Sequence, residues 1–292
     1  MYDTIIIGAG PAGLTAAIYT ARAGKSVLVC ECESIGGQIA YSPKIENYPA
    51  IRSISGAEFS DALFEQAVSF GAEMDLDKVT DIEDHGDYKT VICESARHDC
   101  KKVIIAIGVE HQKLGLPNEN IRGVSYCAMC DGAFYKGRTA AVVGGGNTAL
   151  RSVQALSGLC SHIYLIHRRE EFRGDKMLAD EIKALPNVTF VLNSEIQSIN
   201  GENELRSLTV KNKNGEFSEI MTDALFVCIG RIPKKEKFLD RIERDEKGFI
   251  IAGEDCETSV KGIYAAGDCR TKSVRQLSTA AADGAVAASA MI

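Results

Sequence analysis

The chain has 292 residues, 45% hydrophobic and 25% charged, with a net charge of −7. That balance suits a folded protein of about two domains and excludes a disordered polymer. An acidic chain without a basic stripe speaks against nucleic-acid binding, whose affinity rests on clustered Lys and Arg.

From the N-terminus, DTIII (3–7) is a β-branched run that leads into GAGPAG and then LTAAIYTARAG. It predicts strand, glycine turn and helix, with Gly24 closing the helix. KSVLVCE (25–31) predicts a second strand. The same order returns at 139–168 as TAAVV, GGGNTA, a helical stretch to Gly158, and HIYLIHR. Near the end, GIYAAGDC (262–269) predicts a short strand, followed by an alanine-rich stretch of helix length. The longest apolar runs, TIIIGAG and VIIAIG, are strand-sized and far short of a membrane span. No charged leader precedes a hydrophobic stretch, so no secretory signal is expected and the setting is expected to be cytoplasmic.

The duplicated pattern predicts an α/β protein with two Rossmann-like dinucleotide-binding domains, the second inserted into the first. Candidate crossings are EHQKLGLP (110–117) and GRIPKKEKF (230–238). The expected division is 1–112 with 234–292 for the first domain and 113–233 for the second. Most of the ten cysteines are expected to be buried small hydrophobes.

Gly8-x-Gly10-x-x-Gly13 follows a strand and opens a helix. The first Gly permits the tight turn, the second lets a pyrophosphate approach the backbone, and the third lets helix and strand pack closely. The anion then lies at a helix N-terminus with free N–H donors. Glu31 ends the next strand, placed to accept hydrogen bonds from an adenosine ribose. The second loop is Gly144-x-Gly146-x-x-Ala149, and its partner strand ends in His167-Arg168-Arg169, with Arg173 beyond. A carboxylate repels a 2′-phosphate, whereas guanidinium groups fork onto it. The first loop therefore suits FAD and the second NADP. The competing reading of HRREEFR is a solvated face of ion pairs.

GAGPAG, GGQ (36–38), ENYP (46–49), CAMCDG, GGGNTA, HRREEFR, GIYAAGDC and RQ (275–276) together carry a resemblance. Along nearly its whole length the chain resembles the low-molecular-weight, NADPH-dependent thioredoxin reductases, two-domain flavoproteins of bacterial type. The resemblance implies FAD and NADPH as cofactors, thioredoxin as the protein substrate and a homodimer. Gly36, Gly37 and Gln38 would lie along the FAD pyrophosphate and ribityl chain, with Asn47 near the isoalloxazine. Asp268 would bind the ribityl or phosphate end, and Arg275 with Gln276 the pyrimidine edge. Pro11, Ala12, Gly108 and Gly267 complete the expected FAD set, and Asn147 and Thr148 the NADPH set. The chain departs from the family pattern at Ile107, Ala50, Arg151 and Lys234, none of which touches the disulfide chemistry. Relatives that take electrons from ferredoxin have lost the phosphate-binding arginines, which this chain keeps.

Cys127-x-x-Cys130 admits three readings: a zinc half-site, a redox pair or an accident of packing. Zinc needs further ligands at short spacing, and the chain offers only Cys30-x-Cys32, so no metal site is expected. A redox pair is the favoured reading. By resemblance Cys130 would face the flavin, Cys127 would attack the substrate disulfide, and Asp131 would be the general acid or base. The competing role for Asp131 is an Asp-Gly turn residue. Competing functions are reduction of another small dithiol protein, glutaredoxin-like or peroxidase-linked, and a flavoprotein sensor without turnover. Because the cysteine pair lies inside the segment expected to bind NADPH, the sequence also implies a rotation of that domain about its two crossings during turnover.

Overall fold

Every residue that begins the chain's first strand is β-branched or aromatic except Asp3, and the strand they form is buried along its last four positions. The structure, a computed structural model, describes residues 1–42 and 44–291. The first unit begins with β1 (Tyr2–Ile7), α1 (Pro11–Arg22) and β2 (Val27–Cys30), joined by the glycine turn. Gly24 lies just past the end of α1 at φ 74°, where its lack of a Cβ lets the chain reverse. Then come α2 (Gly56–Ser69), β3 (Glu73–Asp75), β4 (Val79–Asp84), β5 (Lys89–Cys93) and β6 (Arg97–Ile105). Ser55 caps α2 in a reciprocal box with Glu58.

β6 has two jobs. Its first half pairs antiparallel with β5 and its second half parallel with β1. The sheet order is β3-β2-β1-β6-β5-β4. The two chain crossings, β7 (Val109–His111) and the later β16 (Arg231–Pro233), form a two-stranded sheet of their own.

The second unit holds β8 (Val124–Ser125), α3 (Ala128–Asp131), β9 (Thr139–Val143), α4 (Asn147–Ser157), β10 (His162–His167), α5 (Lys176–Lys183) and β11 (Val188–Leu192). An antiparallel set follows, β12 (Ser194–Asn200), β13 (Ser207–Asn212) and β14 (Phe217–Met221), and then β15 (Ala224–Val227). β9, β10, β11, β15 and β8 make one parallel sheet in the order β11-β10-β9-β15-β8. Its strands are near-continuous apolar runs, as befits a sheet covered on both faces.

β16 (Arg231–Pro233) returns the chain to the first unit, where β17 (Ile263–Ala265) pairs parallel with β6 and α6 (Leu277–Ser289) closes the fold. The alanines of α6 have a packing reason. A Cβ on Gly284 would lie 2.2 Å from the Ala12 carbonyl oxygen, so α6 and α1 meet at backbone distance. The chain divides into one compact unit of Met1–Glu110 plus the segment from Ile232 onward, and a second of His111–Arg231.

Candidate active site

In the parallel part of each sheet the strand order reverses, at β1/β6 and at β9/β15. Ligands of such sheets bind at the carboxyl ends of the strands at that reversal. Both glycine loops stand there. A Cβ on Gly8 would lie 2.5 Å from the Ala106 oxygen, and one on Gly144 2.3 Å from the Cys228 oxygen. Both glycines also have positive φ, 106° and 147°. The third position packs helix on loop: a Cβ on Gly13 would lie 1.9 Å from the Gly8 oxygen, while Ala149 is buried. The middle glycines differ in kind. Gly10 and Gly146 have nothing within 4 Å of an added Cβ, and each N-caps its helix without a side-chain cap. Both helix N-termini thus offer N–H donors and open approach, which fits a dinucleotide pyrophosphate at each.

Around the first loop the expected residues converge. Glu31 accepts the Ala9 N–H at 2.7 Å and the Cys32 and Glu33 N–H groups at 2.9 and 2.8 Å, so its carboxylate is fixed beside the turn. The Gly36 N–H donates to the Ala9 oxygen at 2.8 Å, and Gly36 and Gly37 have positive φ. Gln38 donates to the Val109 carbonyl. Asn47 donates to the Gln276 side-chain oxygen at 3.3 Å, joining two motifs 229 positions apart. A Cβ on Gly267 would meet that of Ala12 at 2.9 Å, which brings the Gly267-Asp268 turn onto the start of α1. Arg275 donates to the carbonyls of Asp268, Arg270 and Lys272 and stacks over Phe249 at 4.1 Å. Gly108 has φ 66° with open space beside it.

One residue of this region escaped the motif search. Asp283 is buried and bonds the Gly267 N–H at 2.9 Å, Arg270 at 2.7 Å and Lys272 at 2.8 Å. Burial alone would raise its pKa, but the Arg270 and Lys272 bonds win and hold it below 3.8. It is the one charged residue of α6, and that isolation in an alanine-rich helix is the signal that could have marked it. Lys234, a departure from the family pattern, pairs with Glu33 at 3.0 Å.

In the second unit, the Arg173 and Gly174 N–H groups donate to the Gly145 oxygen at 2.8 and 3.2 Å, which folds the basic segment back onto the glycine loop. Asn147 accepts the Asp175 N–H at 2.6 Å and fixes the same turn. Thr148 is the second residue of α4, and its carbonyl accepts the Ser152 hydroxyl at 2.8 Å. Arg168, Arg169 and Arg173 are exposed. His167 is placed differently: buried, stacked on Phe172 and packed under Gly145, with its pKa lowered by burial. It supports the loop from the buried side, whereas the three guanidinium heads are exposed.

Cys127 and Cys130 form a disulfide across α3, with Cα atoms 5.3 Å apart. Both are half-buried and Met129 between them is exposed. Asp131 follows at once. Burial raises its pKa, and the Ser125 hydroxyl, donating at 2.6 Å, opposes that rise. The same hydroxyl accepts the Cys127 N–H at 3.1 Å. Ser125, like Asp283, was missed from the sequence, because nothing in its spacing distinguishes it from any other loop serine. The geometry provides a dithiol-disulfide pair with a half-buried carboxyl group beside it, on the unit that carries the arginine-flanked loop.

The family model described as pyridine nucleotide-disulphide oxidoreductase matches residues 2–284. The chain is 43% identical to the thioredoxin reductase of Bacillus subtilis, over 99% of this chain and 93% of that protein. It is 39% identical to the thioredoxin reductase of Listeria monocytogenes, over 98% and 92%. Among solved structures, the thioredoxin reductase of Streptococcus pyogenes superposes with a TM-score of 0.93 at 39% identity, covering 100% of this chain and 97% of that one.

Proposed function

The chain belongs to the pyridine nucleotide-disulphide oxidoreductase family, and we propose that it reduces thioredoxin at the expense of NADPH. The observation that carries this reading is the Cys127–Cys130 disulfide on the unit whose phosphate-ready loop is flanked by three arginines. The first unit is the FAD domain and the second the NADPH domain. FAD, when bound, would supply the two-electron chemistry that links NADPH oxidation to disulfide reduction.

Gly10 and the N-terminus of α1 would hold the FAD pyrophosphate, and Glu31 would bind the ribose. Asn47 and Gln276, bonded to each other, would line the ring end, and Arg275 fixes the loop that carries Asp268. Arg168, Arg169 and Arg173 recognise the 2′-phosphate. In the reduced pair the Cys127 thiolate attacks one sulfur of the thioredoxin disulfide. A mixed disulfide forms and the second substrate sulfur leaves as a thiolate, which takes a proton from Asp131. Cys130 then attacks the Cys127 sulfur, re-forms the protein disulfide and releases the second substrate thiol. The raised pKa of Asp131 suits it to the donor role.

A homodimer in the cytoplasm completes the proposal. Among the described residues no helix is long and apolar enough to cross a membrane. Eight cysteines are free and seven of them buried, in keeping with a reducing compartment. Anaerobic NADPH titration of the yellow protein tests the proposal. The flavin should bleach, and adding oxidised thioredoxin should restore its colour with formation of thioredoxin thiols. Bleaching without transfer to thioredoxin, but with transfer to another small disulfide protein, would reassign the substrate. The same titration of Cys127→Ser should bleach and then stall.

A further inference from the structure

A second group of sulfur, nitrogen and oxygen ligands lies in the first unit, among residues that the reduction chemistry does not use. Asp75 ends β3, Cys93 ends β5 and His98 lies near the start of β6. Their ligand atoms, a carboxylate oxygen, a thiol sulfur and an imidazole nitrogen, all lie within 4.8 Å of one another. Among the described residues this is the one such grouping of three or more. A fourth candidate adjoins it. Cys30 ends β2 directly across the register from Asp75, in the same buried core as Cys93.

The topology explains the meeting. β2 and β3 are parallel neighbours, so Cys30 and Asp75 arrive together at the same end of the sheet. β4, β5 and β6 form an antiparallel meander that shares a core with β1 and β2, and Cys30, Cys93 and Cys100 all belong to that core. His98 lies two residues before Cys100 on β6 and so shares its face. Cys30 and Cys93 are free and buried. Asp75 and His98 are partly open to solvent, with side-chain exposures of 30% and 22%. His98 Nε2 lies 2.8 Å from the Asp75 carboxylate, which orients both toward the thiols. Tyr2 meets the His98 ring edge-on at 6.3 Å and bonds Glu73 at 2.8 Å, restraining the open side.

We propose that Asp75, Cys93 and His98, with Cys30 as the fourth ligand, bind a divalent zinc ion. Two thiolates, one imidazole and one carboxylate are a donor set that favours zinc over the hard cations. Zinc–ligand bonds of about 2.0–2.3 Å put neighbouring donor atoms about 3.2–3.8 Å apart in a tetrahedron. The Asp75, Cys93 and His98 atoms close to that with shifts on the order of 1 Å, and the Cys30 thiol, outside their 4.8 Å grouping, swings further to join them. Binding forms two Zn–S bonds, one Zn–N bond and one Zn–O bond, and releases the two thiol protons to solvent. No electron changes hands. The ion would tie the meander to the edge of the parallel sheet, joining β2, β3, β5 and β6 at one point.

The test uses chelator-treated oxidised holoenzyme, in which Cys127 and Cys130 are held as a disulfide and cannot compete for metal. Zn(II) is titrated against a chromophoric chelator, and Co(II) is used as a spectroscopic stand-in, read from its d–d bands to the red of the flavin. The expected result is one ion per chain, tetrahedral Co(II) bands, and at least tenfold weaker binding in Asp75→Asn and His98→Gln. Cys93→Ser should cut the thiolate-to-cobalt charge-transfer absorption by about half, while Cys32→Ser, which alters the exposed thiol, should bind as the parent does. Absence of stoichiometric binding, binding unchanged in all three ligand variants, or binding lost in Cys32→Ser would overturn the proposal. So would a Cys30–Cys93 disulfide found by peptide mapping of the purified protein.

Discussion

The Ser125 hydroxyl donates to the Asp131 carboxylate at 2.6 Å, and through it the acid beside the redox disulfide is tuned. Burial pushes the Asp131 pKa up, and this bond stabilises the charged form and pulls it back. Removing the hydroxyl in Ser125→Ala should raise the pKa further. The protonated form then persists to higher pH, so the limb of the thioredoxin-reduction profile that falls as Asp131 loses its proton should move upward. Ser125→Thr should restore the limb, which a merely structural defect would not do. Asp131→Asn should lower turnover with thioredoxin by about a hundredfold, a usual size for a lost general acid. NADPH-driven bleaching should continue.

The three exposed arginines beside the second glycine loop should set the choice of nicotinamide. NADPH should be preferred to NADH by about tenfold or more, since each decade is about 1.4 kcal/mol. Replacing Arg168 and Arg169 by Ala should collapse the kcat/KM ratio toward unity by raising KM for NADPH. Equal use of both nucleotides by the parent enzyme would refute the assignment.

Gly10 and Gly13 look alike in the motif but should fail differently. Gly10→Ala meets no protein atom within 4 Å and has an ordinary negative φ, so the chain should fold. Its methyl group occupies the approach of the pyrophosphate, and FAD affinity should fall by about tenfold or more. Gly13→Ala puts a methyl 1.9 Å from the Gly8 oxygen and should cost about 1–3 kcal/mol of stability. Urea unfolding of the apoproteins separates the two: a Gly10→Ala apoprotein as unstable as Gly13→Ala would contradict the division of labour.

Asp283 is buried between two cations, Arg270 and Lys272, with all three side chains no more than 12% exposed. Asp283→Asn leaves two buried positive charges uncompensated and should cost about 3–5 kcal/mol. The pH dependence has a definite sign. The folded pKa is held below 3.8, so this contribution is complete above that value and is lost as pH falls through the lower, folded pKa. The parent should therefore lose stability in acid more steeply than Asp283→Asn, as read from urea midpoints across the range below about pH 5.

Much of the candidate site was legible in the chain because it is local. A strand, a glycine turn and a helix form within about twenty residues, and the loop chemistry of Gly8-x-Gly10-x-x-Gly13 and Gly144-x-Gly146-x-x-Ala149 depends on backbone geometry that short segments carry themselves. The Cys127–Cys130 pair is local for the same reason, with its Cα atoms 5.3 Å apart. The glycines, the acid after one second strand and the arginines after the other carry the expected nucleotide preferences in local sequence. What the tertiary structure decided depends on which strands become neighbours. His167 left the arginine group because β10 turns its ring inward under Gly145. Asp283 reached the Gly267 turn only because α6 packs on α1 at backbone distance. Asp75, Cys93 and His98 stand 18 and 5 positions apart, with Cys30 45 positions before Asp75, and no spacing rule joins them. A sheet that places β2 beside β3 and folds a meander onto the same core brings their ligand atoms together, because strand order, unlike a turn, is fixed by burial of the whole apolar surface.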